Sequence, residues 1–268
     1  MKSNAPIGIF DSGIGGLTVA RAVKALLPAE QLIYFGDTAH LPYGDKSTAA
    51  IQAYSVKITD FLLSKGCKVV LIACNSASAA AYELVKEYAG SRAQVFNVID
   101  PVVGFIREHY KTERIGLIGT KQTVNSGVYA DKIKALKSKV EISALATPLL
   151  VPLIEEGFVN NEISHGIIKQ YLEDPELSDI TSLILGCTHY PIIKGEIEAL
   201  LGDKVEVIDS AETVAKALKG FLDYHQLSAK SRIADDQFFI SDFTTEFEFT
   251  TKRFFGKHVH LDSYRLWE

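Results

Sequence analysis

Short, almost unbroken apolar runs alternate along this chain with stretches in which apolar residues recur every three or four positions. Ile7–Phe10 is the first such run, and it opens into the loop Asp11-Ser12-Gly13-Ile14-Gly15-Gly16. From Leu17 to Leu27 the positions Val19, Val23, Leu26 and Leu27 fall on one helical face, and Pro28 stops the helix. Gln31–Phe35 reads as a second strand ending in Gly36-Asp37. Ser47-Thr48 can cap a long helix with the apolar face Ile51, Tyr54, Ile58, Phe61 and Leu62, closed by Gly66. Lys68–Ala73 is nearly all apolar, as a parallel strand covered on both faces should be. Strands alternating with helical patterns predict βαβ units.

The pattern then restarts. Arg114–Gly119 (RIGLIG) echoes Ile7–Phe10 (IGIF). Ser182–Gly186 followed by Cys187 echoes Val69–Ala73 followed by Cys74, and Val98-Ile99-Asp100 recurs as Val207-Ile208-Asp209. All three offsets are about 110 residues. The expectation is an α/β protein of two similar domains. Each has a central, mostly parallel sheet, the two are related by a pseudo-twofold, and the cleft between them carries the function. Ligands of such sheets bind beyond the carboxyl ends of the strands.

Composition narrows the classes. A length of 268 residues suits one large domain or two small ones, and 47% hydrophobic with 23% charged residues is ordinary for a globular chain. A net charge of −5 without a basic stripe argues against nucleic acid as a partner. No run approaches the ~18 apolar residues of a membrane span. The opening MKSNAPIGIF holds too short an apolar stretch for a signal peptide, so a cytoplasmic location is expected.

The three cysteines, Cys67, Cys74 and Cys187, are no disulfide framework. No metal is expected, because Cys187 and His189 alone fall short of the four ligands a structural zinc takes. Cys74 and Cys187 each follow an apolar strand at the entry to an expected helix, Cys74 before Asn75-Ser76-Ala77-Ser78 and Cys187 before Thr188-His189-Tyr190-Pro191. A helix N-terminus should lower a thiol's pKa and can hold a carboxylate. Two thiols in matched places suit inversion of a stereocentre, one taking a proton from one face while the other delivers a proton to the opposite face. Asp11 could poise Cys74 and His189 could poise Cys187. Cys67, in a helix-to-strand connection, reads as structural.

The glycine loop invites a dinucleotide reading, with Asp37 near where a ribose-binding acid should stand. The third glycine is replaced by Thr18, so the fingerprint is incomplete. The loop can instead hold a substrate carboxylate or amine through Asp11 and Ser12. Tyr43 and Gly44, in a Pro/Gly turn after the second strand, are further candidate ligands. So are Thr120 and Thr123, which begin the second half where Asp11-Ser12 begin the first.

FDSGIGGLTV, GDTAHLPYG, IACNSASA and LGCTHYP, in that order from Ile7 to about Pro191, resemble the glutamate racemase family. The resemblance implies cofactor-independent, two-base interconversion of L- and D-glutamate, supplying D-glutamate for peptidoglycan. Cys74 matches the cysteine acting on the D-isomer and Cys187 the one acting on the L-isomer, with Asp11 and His189 assisting. Asp11-Ser12, Tyr43-Gly44, Asn75-Ser76 and Thr188-His189 match the substrate-binding pairs, and Glu155 matches an acid near the site. Ser76 departs from the family's usual threonine but keeps the hydroxyl. The resemblance also implies a homodimer and a division into residues 1–98 plus 210–268 and residues 99–209. A racemase for another acid such as aspartate, a one-thiol isomerase, a cleft protein that binds without chemistry and a redox thiol pair are the alternatives.

Overall fold

The computed structural model describes residues 2–268, apart from the side chains of Glu246, Glu248 and Phe249. The first half runs β1 (Ile7–Asp11), α1 (Leu17–Leu26), β2 (Leu32–Gly36), α2 (Thr48–Ser64), β3 (Val69–Ile72), α3 (Asn75–Ala89) and β4 (Gln94–Asn97). Helix α4 (Ile99–His109) leads to β5 (Arg114–Gly119), α5 (Lys121–Asn125), α6 (Val128–Ala135), β6 (Glu141–Ala146), α7 (Leu150–Glu155), α8 (Glu162–Leu172), β7 (Ser182–Gly186), α9 (Lys194–Leu201) and β8 (Glu206–Asp209). Then come α10 (Ser210–Tyr224), β9 (Gln237–Ile240), α11 (Thr245–Phe255) and β10 (Asp262–Ser263). Every residue of β1, β2, β3 and β7 is buried, which is why these strands read as unbroken apolar runs. The expected Ser47 cap is present, its side chain accepting from Ala50 N–H.

The strands form two all-parallel sheets, ordered β10-β9-β2-β1-β3-β4 and β6-β5-β7-β8. The order β2-β1-β3-β4 of the first is repeated as β6-β5-β7-β8 in the second, so β3 and β7, the strands before Cys74 and Cys187, hold the same place. Register gives the repeat its residues: Ile7 pairs with Leu32 and Val69 as Ile115 pairs with Ile142 and Ser182. The recurrence of Val-Ile-Asp does not belong to it. Val207–Asp209 lies within β8, whereas Val98-Ile99-Asp100 sits past the end of β4, where Asn97 accepts from the Ile99 and Asp100 N–H groups and starts α4. By register the counterpart of Glu206 is Gln94.

Two crossovers, α4 and α10, pack against each other between the sheets, and α10 also packs on α1. Strands β9 and β10 extend the first sheet beyond β2. One apolar cluster runs through both halves, from Ile7 and Leu71 to Leu117 and Ile184. A second lies on the other face of the first sheet and takes in Phe10, Phe35, Ile58, Cys67 and Cys74.

Behind the first sheet a buried ion pair ties four segments together. Lys68 Nζ donates to Glu30 Oε2 at 2.7 Å, to Leu227 O at 2.7 Å and to Ser3 O, while Ala229 N–H donates to Glu30 Oε1 at 2.7 Å. Each polar atom of the pair is answered, so removing one partner leaves an uncompensated buried charge. Lys68→Met is expected to cost about 3–5 kcal/mol of stability in urea unfolding. A loss below about 1 kcal/mol, the value of a solvated pair, would contradict this placement.

Candidate active site

A cavity of about 280 Å³ lies where the carboxyl ends of both sheets meet. One wall comes from the loops after β1, β2 and β3: Ser12-Gly13, Leu41–Asp45 and Cys74–Ser76. The facing wall comes from the loops after β5, β6 and β7: Thr120-Lys121, Thr147-Pro148 and Gly186–His189, with Val151, Pro152 and Glu155 of α7 beside them. The repeated topology therefore brings equivalent loops to one space, and Cys74 and Cys187 enter it from different sheets.

Cys74 is the N-cap of α3. Its Sγ accepts from Ala77 N–H at 3.4 Å and lies 3.8 Å from Ser12 Oγ. The expectation that the helix terminus lowers this thiol's pKa does not hold. Burial, joined by the negative charge of Asp11, outweighs the Ala77 and Ser12 hydrogen bonds and pushes Cys74 up to about 12. It rests as a thiol.

Cys187 is placed differently. A short 3-10 turn, Tyr190–Ile193, follows it, and α9 starts only at Lys194, so Cys187 is not the N-cap of a helix as Cys74 is. Its neighbour is His189, whose Nδ1 lies 3.7 Å from Cys187 Sγ. The other ring nitrogen, Nε2, is 2.9 Å from Glu155 Oε1. Burial disfavours the imidazolium, but Cys187 and Glu155 on either side outweigh it and raise His189 to about 10. The ring is therefore a cation at neutral pH, held by Glu155 against Cys187. Phe254 of α11 packs edge-on against it at 5.2 Å. Arg253 anchors the end of α7 by donating to Ile154 O at 2.6 Å and Glu155 O at 3.2 Å.

Asp11 is fully buried and does not line the cavity. Its Oδ2 accepts from Gly13 N–H at 3.2 Å and Gly16 N–H at 3.0 Å, and its Oδ1 from Thr188 Oγ1 at 3.4 Å. Burial raises its pKa despite the cationic His189 and the N–H groups of Gly16, Gly13 and Ser12. The glycine loop serves packing within the protein. A Cβ on Gly15 would meet the His189 ring and the Thr188 hydroxyl, and one on Gly16 would meet Asp11. This explains glycines that a phosphate site would otherwise require.

The remaining candidates divide. Ser12, Gly44, Asn75, Ser76, Thr120 and Thr188 line the cavity. Asn75 Oδ1 accepts from Tyr129 Oη at 2.8 Å, while its buried Nδ2 has no partner among the described residues. Ser76 Oγ is 2.8 Å from Thr120 Oγ1, joining the two walls, and Thr123 lies behind them, 3.1 Å from Thr120 Oγ1. Tyr43 also lines the cavity, but its hydroxyl is turned to Asp37 Oδ2 at 2.6 Å. Asp37 is thus taken up by a tyrosine. Cys67 is buried beneath Gly8 and does not line the cavity, in keeping with a structural cysteine, and burial pushes its thiol up to about 12. Among the described residues no group of His, Cys, Asp and Glu is disposed to hold a metal ion.

Reading the sequence missed Thr147 and the apolar wall Leu41, Pro42, Val151 and Pro152. Thr147 follows β6 as Thr120 follows β5, a signal the strand pattern contained, and its hydroxyl is 2.7 Å from Tyr190 Oη. The apolar residues carry no chemical signature. No helix among the described residues is long and apolar enough to cross a membrane.

The model of the family described as Asp/Glu/Hydantoin racemase matches residues 16–218. The glutamate racemase of Chlorobaculum parvum is 40% identical over 260 residues, covering 97% of this chain and 95% of that protein. The crystal structure of glutamate racemase from Francisella tularensis in complex with D-glutamate superposes with a TM-score of 0.92 at 37% identity, covering 99% of each chain. The aspartate racemase of Picrophilus torridus, at 18% identity and a TM-score of 0.57 over 84% of this chain, shares the fold. With both thiols in one cavity between two repeated sheets, the chain belongs to the Asp/Glu/hydantoin racemase family, groups there with the glutamate racemases, and is an isomerase.

Proposed function

We propose that this enzyme interconverts L- and D-glutamate by a two-base mechanism, with Cys187 and Cys74 on opposite faces of the α-carbon and no cofactor required. The reading rests on one observation above the others: two thiols on equivalent loops of a repeated fold line one cavity from different sheets. In the L-to-D direction Cys187, as thiolate beside the His189 imidazolium, takes the α-proton. The Cys74 thiol gives its proton to the opposite face. The reaction leaves Cys187 as thiol and Cys74 as thiolate, which is the starting state for D-glutamate. Asp11 and His189 assist the two thiols, Asp11 from behind the wall.

Substrate carboxylates have donors in the unpaired Asn75 Nδ2, the hydroxyls of Ser12, Ser76, Thr120 and Thr188, and the Gly44 N–H. The substrate ammonium brings positive charge towards Cys74, offsetting the cost of a thiolate there. We assign residues 1–98 and 210–268 to the Cys74 unit and 99–209 to the Cys187 unit. The physiological role in this reading is supply of D-glutamate for peptidoglycan by a cytoplasmic homodimer. Three free cysteines suit a reducing compartment.

Proton NMR of L-glutamate in D₂O with reduced enzyme and no added cofactor tests this. The α-proton signal should vanish while optical rotation decays to zero. Folded enzyme that leaves both unchanged would sink the glutamate reading, and the same spectra with aspartate would then decide whether another acid is the substrate.

A further inference from the structure

The loop Leu41–Asp45 faces the cavity, and the single tryptophan of the chain, Trp267, is joined to it through Asp37 and His40. The link runs through Asp37, which follows β2 and is fully buried. Asp37 Oδ2 accepts from Tyr43 Oη at 2.6 Å and lies 3.0 Å from His40 Nδ1. Its Oδ1 accepts from Ser241 Oγ at 2.8 Å and from Trp267 Nε1 at 2.9 Å. One carboxylate thus gathers two residues of the loop region and two from the segments around β9 and β10.

The rings repeat this link by packing. His40 stacks on Tyr54 of α2 at 4.1 Å, and Trp267 meets His40 edge-on at 4.5 Å and Tyr54 at 5.3 Å. Across the cavity the loop has no slack, since a Cβ on Gly44 would stand 2.9 Å from Thr120 Cβ of the facing wall.

We propose that Trp267 is a positioning residue for the substrate loop. By donating to Asp37 and covering His40 it fixes Tyr43 and Gly44 at the distance from Thr120 that the substrate needs. This rests on the reading above, in which the loop contacts glutamate. A charge-assisted hydrogen bond to a buried carboxylate is among the stronger single contacts, and its loss loosens the loop rather than the thiols.

The test combines kinetics and fluorescence. Trp267→Ala is expected to raise KM for both enantiomers about tenfold with kcat within about twofold, the signature of lost binding order rather than lost chemistry. Trp267→Phe keeps a ring against His40 and Tyr54 but donates nothing, and should raise KM by about threefold. Because Trp267 is the only indole, its emission in the native enzyme should shift as glutamate saturates the site. KM unchanged in both variants, with native emission unmoved at saturation, overturns the proposal. So does a loss of kcat that merely follows a lower Tm, which marks a structural contact. Should Trp267→Ala fail to fold, Trp267→Phe and the native emission decide alone. Native enzyme that leaves glutamate unaltered overturns the racemase reading and this proposal together, whereas native racemisation with an unchanged Trp267→Ala KM overturns only the role of Trp267.

Discussion

Cys187→Ala and Cys74→Ala are each expected to lower racemisation about 10³- to 10⁴-fold, the upper range for removing a general acid or base. Each substitution deletes one sulfur from a buried wall, and Cys187→Ala leaves Glu155 on the His189 ring, so the thermal transition should move by only a few degrees. The two variants should also fail in different ways. Cys74→Ala keeps the base assigned to L-glutamate, so in D₂O it should exchange the α-proton of L-glutamate slowly without forming the D-isomer. Cys187→Ala should show the mirror behaviour with D-glutamate. NMR reads exchange and polarimetry reads inversion on the same sample. Turnover close to native in either variant would remove that thiol from the mechanism, and exchange of the wrong enantiomer would reverse the assignment of faces.

The alkaline limb of the pH–rate profile should belong to His189. Its pKa is raised from 6.5 to about 10, because Cys187 and Glu155 favour the cation more than burial opposes it. The imidazolium is therefore present through neutral pH and lost as pH rises through about 10. The same shift is a stability statement: its contribution to folding is complete below about 6.5, the unfolded value, and disappears through about pH 10. Glu155→Gln removes one of the two raising groups, so the limb should move to lower pH and L-to-D turnover at pH 8 should fall about tenfold. His189→Asn should cost about 10²-fold across the range. Profiles recorded from pH 6 to 11 in both directions check this. A limb that stays in place in Glu155→Gln would show that Glu155 does not hold the cation.

The strands and their repeat were readable because buried parallel strands leave nearly uninterrupted apolar runs, as at Val69–Ile72 and Ser182–Gly186. The false member of the repeat, Val-Ile-Asp, is a three-residue match whose copies sit at different places, one within β8 and one past the end of β4. Loop residues next to the thiols could be found because chemistry limits what stands there. Two things required coordinates. The first is the electrostatics of Cys74, where the helix terminus is outweighed by burial and by a buried Asp11 that the sequence places correctly in order but not in depth. The second is remote support: Arg253 and Phe254 against the His189 pair, and Trp267 against Asp37, lie far away in sequence from what they hold.

The two walls of the cavity are unlike, one thiol raised by burial and the other beside a cation. Yet enantiomers have equal free energy in water, so the equilibrium constant of their interconversion is one. Whatever the walls do, kcat/KM must then be the same in both directions. The asymmetry between Cys74 and Cys187 therefore cannot favour a product. It can only set how each direction divides its efficiency between tight binding and fast turnover, and the wall that is more costly to charge is free to differ from its counterpart without biasing the outcome.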